Sequence, residues 1–247
     1  MDEFERQKLD ALAEFAAGAG HEINNPLAII GGRVQLLLRE IDHPEHRRQL
    51  AVIAAQVKRA YEMIADIRFF ARPPQPELST FNLSEELQIL VAEQTPLMTE
   101  AGVTFHADIT SKESEMESGA MMLRSDPVLL HVAVNILCNN AREAVQLSGD
   151  TVWLSLRRTA DAWEIGVKDN GVGISDEVRS LIFSPYYSGR EAGRGLGFGL
   201  PKAWRIMQLL GGAIRYEHKS TFVLTLPVEL YGARSGTQAM QKTPTNF

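Results

Sequence analysis

The chain has 247 residues, enough for two ordinary domains, and its 45% apolar and 23% charged content is that of a soluble globular protein. A formal net charge of −6 without a strong basic run excludes a nucleic-acid backbone as the natural partner. Its single cysteine, Cys138, excludes an intrachain disulfide framework and points to a reducing, cytoplasmic compartment. The residue lies in the apolar run Ile136-Leu137-Cys138, where a small buried hydrophobe is expected. No stretch approaches the ~20 apolar residues of a membrane span. The charged start, Met1-Asp2-Glu3-Phe4-Glu5-Arg6, is unlike a signal peptide. The histidines show no zinc-ligand spacing.

Apolar positions run Leu9, Leu12, Ala16, Ala19, Ile23, Leu27, Ile30, Val34, Leu37 and Ile41, a heptad-like helical seam with a stutter at 19–23–27. After a break at Asp42-His43-Pro44, a second seam runs Leu50, Ile53, Val57, Ala60, Ile64, Ile67 and Ala71. The short connection predicts an antiparallel hairpin, and pairing two hairpins into a four-helix bundle predicts a homodimer. Arg72-Pro73-Pro74-Gln75-Pro76 stops the helix. Beyond it, Asn82 to Glu86 reads as a strand end leading into a helix and 103–109 as a strand. Ser111 to Gly119 reads as a polar loop and 126–146 as a helix. Strands are expected at 152–156, 163–167, 213–216 and 222–226. Strands grouped with helices, without regular βαβ alternation, predict a sheet covered by helices on one face.

Four runs carry chemistry. In Gly20-His21-Glu22-Ile23-Asn24-Asn25-Pro26-Leu27, His21 lies about 200° around the helix from both Ala19 and Ile23, so it points outward. Asn25, one turn on, shares that face, and Glu22 is adjacent. Pro26 cannot donate to the Glu22 carbonyl, so the helix should kink or loosen there. Imidazole is a competent nucleophile near neutral pH, and a neighbouring carboxylate can take its proton. In Asn135-Ile136-Leu137-Cys138-Asn139-Asn140-Ala141-Arg142-Glu143, Asn135 and Asn139 share a helix face with Arg142 beyond. Amide oxygens suit Mg²⁺ and a guanidinium suits phosphate. Asp169-Asn170-Gly171-Val172-Gly173 follows a strand; Asp169 is an acceptor for an exocyclic amine, and the glycines allow close backbone approach. Gly193-Arg194-Gly195-Leu196-Gly197-Phe198-Gly199 opens a helix near Pro201, a backbone suited to phosphate, yet it fits neither the dinucleotide fingerprint nor the P-loop.

Taken in order, these runs resemble the H, N, G1 and G2 boxes of sensor histidine kinases. Phe183-Ser184-Pro185-Tyr186-Tyr187 resembles the family's F-box, and the resemblance spans residues 9 to about 227. It implies His21 as phosphoacceptor, Glu22 as general base and Asn25 as the residue positioning a water when the kinase dephosphorylates its partner. It implies Asn139 as the Mg²⁺ ligand, with Asn135 and Arg142 near the phosphates of ATP. Asp169 would read the adenine amine, helped by Gly171 and Gly173. Gly193, Gly195, Leu196 and Gly197 would cradle phosphate, and Arg190 keeps a cation in the lid sequence Ser188-Gly189-Arg190. Asn140 stands at the family's usual alanine. Ser220-Thr221-Phe222 resembles the family's Gly-Thr-x-Phe, with Ser220 in the glycine's place and Thr221 as a nucleotide contact.

The expected fold class is α plus α/β: a long antiparallel helical hairpin forming a dimeric four-helix bundle, followed by an α/β sandwich ATP-binding domain. The expected division is 1–72 hairpin, 73–79 linker, 80–230 ATP-binding domain and 231–247 disordered tail. The resemblance implies ATP and Mg²⁺, a response-regulator receiver domain as the next phosphoacceptor, and an upstream sensor domain or protein outside this chain. An ATPase of the same nucleotide-binding superfamily would share the N, G1 and G2 boxes without needing His21-Glu22. A non-catalytic docking module is the other alternative.

Overall fold

The computed structural model describes residues 3–109, 121–184, 187, 197–217 and 220–228. The expected tail at 231–247 and the polar loop at 111–119 lie outside the described residues.

Two long helices, α1 (Glu3–Glu40) and α2 (Pro44–Ala71), form the hairpin. Pro44 occupies the first turn of α2, where its missing N–H costs nothing. Arg47 donates from Nη1 to the carbonyls of Leu38 and Ile41 (3.0 Å to the latter), satisfying the orphan acceptors at the end of α1. The helix continues through Pro26, and the Tyr61 hydroxyl donates to the Asn24 carbonyl at 3.1 Å within the turn the proline weakens.

The face of α1 turned to α2 differs from the expected seam. From residue 20 to residue 41, the partly or fully buried positions are Gly20, Asn24, Leu27, Gly31, Val34, Leu38 and Ile41, an unbroken alternation of four and three residues. A Cβ at Gly20 would lie 3.1 Å from Ile64 Cγ2, and one at Gly31 would lie 3.4 Å from Val57 Cγ1. The helices therefore meet over glycines, which hydrophobic periodicity does not count, and from residue 20 onward Asn24 rather than Ile23 precedes Leu27 on this face. Ile23, Ile30 and Leu37 remain 46%, 44% and 41% exposed and form a separate stripe seven residues apart.

The rest of the chain builds a mixed sheet under three helices. In chain order these elements are β1 (Ser79–Asn82), α3 (Leu83–Glu100), β2 (Thr104–Asp108), β3 (Met122–Ser125), α4 (Pro127–Val145), β4 (Thr151–Arg158), β5 (Ala162–Asp169), α5 (Gly199–Leu209), β6 (Ala213–Glu217) and β7 (Thr221–Pro227). The main sheet has the order β2-β4-β5-β7-β6; β2 and β4 are parallel and the other pairs antiparallel. β1 and β3 make a separate antiparallel pair. β3, only four residues long, has no counterpart in the sequence reading.

Asp126 caps α4 through Oδ1, which accepts from Leu129 N at 3.0 Å, while its Oδ2 accepts from Glu77 N at 2.8 Å. One buried carboxylate thus ties the segment after the hairpin to the central helix. The helices pack on one sheet face over Val152, Leu154, Leu156, Ile165, Val167 and Leu224, with Leu130, Val134 and Leu137 of α4 above them.

Candidate active site

Strand parity sets the floor of the site. Trp163, Ile165, Val167 and Asp169 alternate onto the helix face of β5, so Asp169 ends the strand beneath α4. Gly171 N donates to Asp169 Oδ1 at 2.8 Å, and the Ser220 hydroxyl also bonds this carboxylate. Burial pushes the Asp169 carboxyl above the usual aspartate range, and these two donors partly offset it. A Cβ at Gly171 would lie 2.9 Å from the Ala144 carbonyl, so the loop passes α4 at a distance only glycine allows. The Tyr216 hydroxyl accepts from Ile174 N at 3.1 Å and holds the next turn of the loop.

The cavity above Asp169 encloses about 880 Å³. Its walls come from four places. Asn140, Glu143 and Ala144 descend from α4; Gly173, Ile174, Tyr216, Ser220 and Phe222 rise from the sheet side; Gly197, Phe198 and Gly199 open α5. Gly197 has φ +70°, and a Cβ there would fall 2.1 Å from the Tyr187 carbonyl oxygen, so the turn into α5 requires glycine. The fourth wall belongs to the hairpin: Arg59, Glu62, Met63 and Asp66 of α2 line the same space.

Two expected contacts are displaced by one residue. Asn139 Nδ2 donates to Asn135 Oδ1 at 3.1 Å, and Gln94 Nε2 of α3 donates to the same oxygen at 2.6 Å. Both asparagines therefore face α3, alongside His131, which lies between Glu86 and Glu93. Asn140 lines the cavity instead; a Cβ at Gly199 would stand 3.9 Å from its Oδ1 and 3.5 Å from Ile136 Cγ2. One residue on an α-helix is about 100° of rotation, enough to exchange the two faces. The dipeptide Asn140-Ala141 is the signal that fits this register. Arg142, one position beyond Ala141, does not line the cavity, whereas Glu143 does.

The second displacement follows the two-residue period of a strand. Ser220 and Phe222 line the cavity; Thr221 lies between them, paired with Lys168 and Glu217, and does not. Anchored at Phe222, a four-residue Gly-Thr-x-Phe places its hydroxyl at position 220, the available signal. Ser220 adopts φ +55°, uncommon for a residue with a side chain, and its hydroxyl bond to Asp169 accompanies that strain. Arg190, Gly193, Gly195 and Leu196 lie outside the described residues.

On the hairpin, His21, Glu22 and Asn25 are all exposed. His21 follows Gly20, which packs on Ile64, and Asn24 meets Tyr61; the phosphoacceptor candidate thus lies level with the stretch of α2 that walls the cavity. Among the described residues no cluster of three histidine, cysteine or acidic side chains forms a metal cage. The Asn140 amide and Glu143 carboxylate instead offer hard oxygens beside the glycine-rich helix start, which fits a Mg²⁺ ion carried in with a polyphosphate. Burial pushes the Cys138 thiol up to about 12, consistent with a packing role.

Residues 125–230 match the family model described as "Histidine kinase-, DNA gyrase B-, and HSP90-like ATPase", and residues 11–76 match "His Kinase A (phospho-acceptor) domain". The signal transduction histidine-protein kinase AtoS of Escherichia coli is 30% identical over 92% of this chain and 36% of its own length. Sporulation kinase C of Bacillus subtilis is 29% identical over 91% and 51%. The chain thus spans about half or less of the length of these relatives. Full-length ShkA, solved with AMPPNP, shares the fold with a TM-score of 0.70 at 21% identity, covering 87% of this chain and 45% of that one. A phosphoacceptor hairpin joined to this ATPase fold defines the class: the chain belongs to the sensor histidine kinases and contains their catalytic core.

Proposed function

We propose that this core transfers the γ-phosphoryl group of Mg·ATP to His21 and then to an aspartate on a response-regulator receiver domain. The observation that carries the reading is the shared cavity: α2 of the phosphoacceptor hairpin walls the same space as Asp169 and the glycine-rich start of α5. ThkA, solved in complex with the response regulator TrrA, has this fold with a TM-score of 0.63 at 22% identity over 90% of this chain, which supports the second acceptor.

In this mechanism Asp169 accepts from the adenine amine, held in place by Gly171 N and the Ser220 hydroxyl. Asn140 and Glu143 face the polyphosphate. When bound, Mg²⁺ neutralises developing charge on the phosphates. Backbone amides at the start of α5 add donors for the same oxygens. His21 attacks the γ-phosphorus in line, the bond to the bridging oxygen of ADP breaks, and Glu22 takes the imidazole proton. Asn25, exposed one turn beyond His21, in this reading orients a water for dephosphorylating the regulator. LuxQ of Vibrio vulnificus, a kinase/phosphatase 30% identical over 97% of this chain and 29% of its own length, favours that second activity.

We also propose a homodimer, with the stripe Ile23, Ile30 and Leu37 buried against a second hairpin. Functionally the chain divides into 1–72 and 80–230 joined by 73–79. No helix among the described residues is long and apolar enough to cross a membrane. We place the core in the cytoplasm, where ATP and regulator meet, with signal arriving from a sensor domain or protein outside these residues. The deciding experiment is incubation with Mg²⁺ and γ-labelled ATP, comparing the natural chain with His21→Ala. Acid-labile, base-stable label on the natural chain alone is expected; label on both would move the acceptor elsewhere, and label on neither would reject the kinase reading.

A further inference from the structure

The cavity has an unbalanced charge. Its described lining carries the carboxylates Glu62, Asp66, Glu143 and Asp169 against one cation, Arg59. Asp66 pairs with Lys202 Nζ of α5 at 2.7 Å, and Glu62 with the exposed Lys58 Nζ at 3.8 Å. No described side chain pairs with Arg59. A nucleoside polyphosphate entering this space meets negative walls, and Mg·ATP keeps a net negative charge that Arg59, the cation of the described lining, can offset.

Arg59 comes from the hairpin, and its placement follows from how the hairpin docks. Arg59, Glu62, Met63, Asp66 and Phe70 recur at i, i+3, i+4, i+7 and i+11 and form one face of α2. That face is anchored at the start of α5. Phe70 packs edge-on against Phe198 with ring centroids 6.1 Å apart, and Lys202 Nζ lies 5.0 Å from the Phe69 ring centroid as well as bonding Asp66. The anchors flank Gly199, the helix start suited to phosphate. The dock therefore holds Arg59 in the wall of the cavity.

Resting on the nucleotide-site reading above, we propose that Arg59 is a phosphate-binding residue of the ATP site, supplied by the phosphoacceptor hairpin. Nucleotide is then held by both domains at once, and binding of Mg·ATP and docking of α2 favour each other reciprocally. A guanidinium suits this role because it stays charged and its planar donors match phosphate oxygens.

The test is calorimetric titration of the whole chain with Mg·ATP and with adenosine. Arg59→Ala should weaken Mg·ATP by about tenfold or more, the scale of a charge-assisted contact, while adenosine affinity changes by less than about twofold. Arg59→Lys should recover part of the loss. Phe70→Ala, which weakens the packing on Phe198 without changing the charge of the cavity, should give a smaller loss with the same Mg·ATP selectivity. Unchanged Mg·ATP affinity in Arg59→Ala, or equal losses for ATP and adenosine, would overturn the proposal. A natural chain that binds neither ligand would instead overturn the nucleotide-site reading.

Discussion

At Asp169 the same burial that places the carboxylate under α4 also makes it harder to ionise. The ionised form is the acceptor for an adenine amine, so nucleotide affinity should fall as pH is lowered. Because the carboxyl sits above the usual aspartate range, the fall should begin at a higher pH than an ordinary aspartate would give. Titration calorimetry across pH measures this, and Asp169→Asn should flatten the profile and weaken binding by roughly tenfold at neutral pH. The two asparagines of α4 offer a sharper contrast. Asn140→Ala should weaken Mg·ATP by about tenfold. Asn139→Ala, which loses the bond to Asn135, should leave affinity within about twofold and lower stability by about 1 kcal/mol in denaturant titration. At this scale residue types were legible in the sequence and registers were not. Consecutive asparagines offer two helix faces, and Ser220-Thr221 offers two strand faces; only packing against Gly199 and Asp169 chooses between them.

Among the elements, the hairpin, α4 and the strands of the main sheet were legible because each repeats its apolar pattern over enough residues to fix a period. The facing of α1 was not, because Gly20 and Gly31 make the closest approaches while contributing no apolar side chain. The stripe left over, Ile23, Ile30 and Leu37, should be the one that closes the dimer. Ile30→Lys should shift sedimentation toward monomer while leaving the ATP-binding fold intact; an unchanged dimer would remove this stripe from the interface. In the sheet, Glu164 joins three strands: it accepts from Arg157 Nε of β4 at 3.0 Å and from Arg215 Nη2 of β6 at 2.8 Å. The Arg157 guanidinium, followed by that of Arg215, holds its carboxyl below the usual range. Its contribution is therefore present above the pKa of the unfolded chain and is lost as pH falls through the lower folded value. Glu164→Gln should lower the melting temperature near neutral pH, with the difference from the natural chain narrowing in acid.

For the molecule as a whole, the relation between hairpin and ATP-binding unit was the least legible feature. Nothing in the spacing of Arg59, Asp66 and Phe70 distinguishes a docking face from a solvated one, and the partners Phe198 and Lys202 lie more than a hundred residues away. Breaking the dock with Asp66→Ala and Phe70→Ala together should enlarge the radius of gyration in small-angle scattering. A partly exposed ion pair is worth about 1 kcal/mol or less, so the lost ion pair should change unfolding little. An unchanged scattering profile would mean that other contacts hold the two units together.

The lone cysteine gives this architecture a built-in gauge. Cys138 is buried on α4 two residues before Asn140, and a thiol raised to about 12 reacts with alkylating reagents only when that helix lifts from the sheet. With no competing thiol in the chain, the rate of alkylation counts openings of the central helix directly. A nucleotide that braces Asn140 should slow that clock, so breathing of the ATP-binding fold can be timed on the natural sequence without introducing a label.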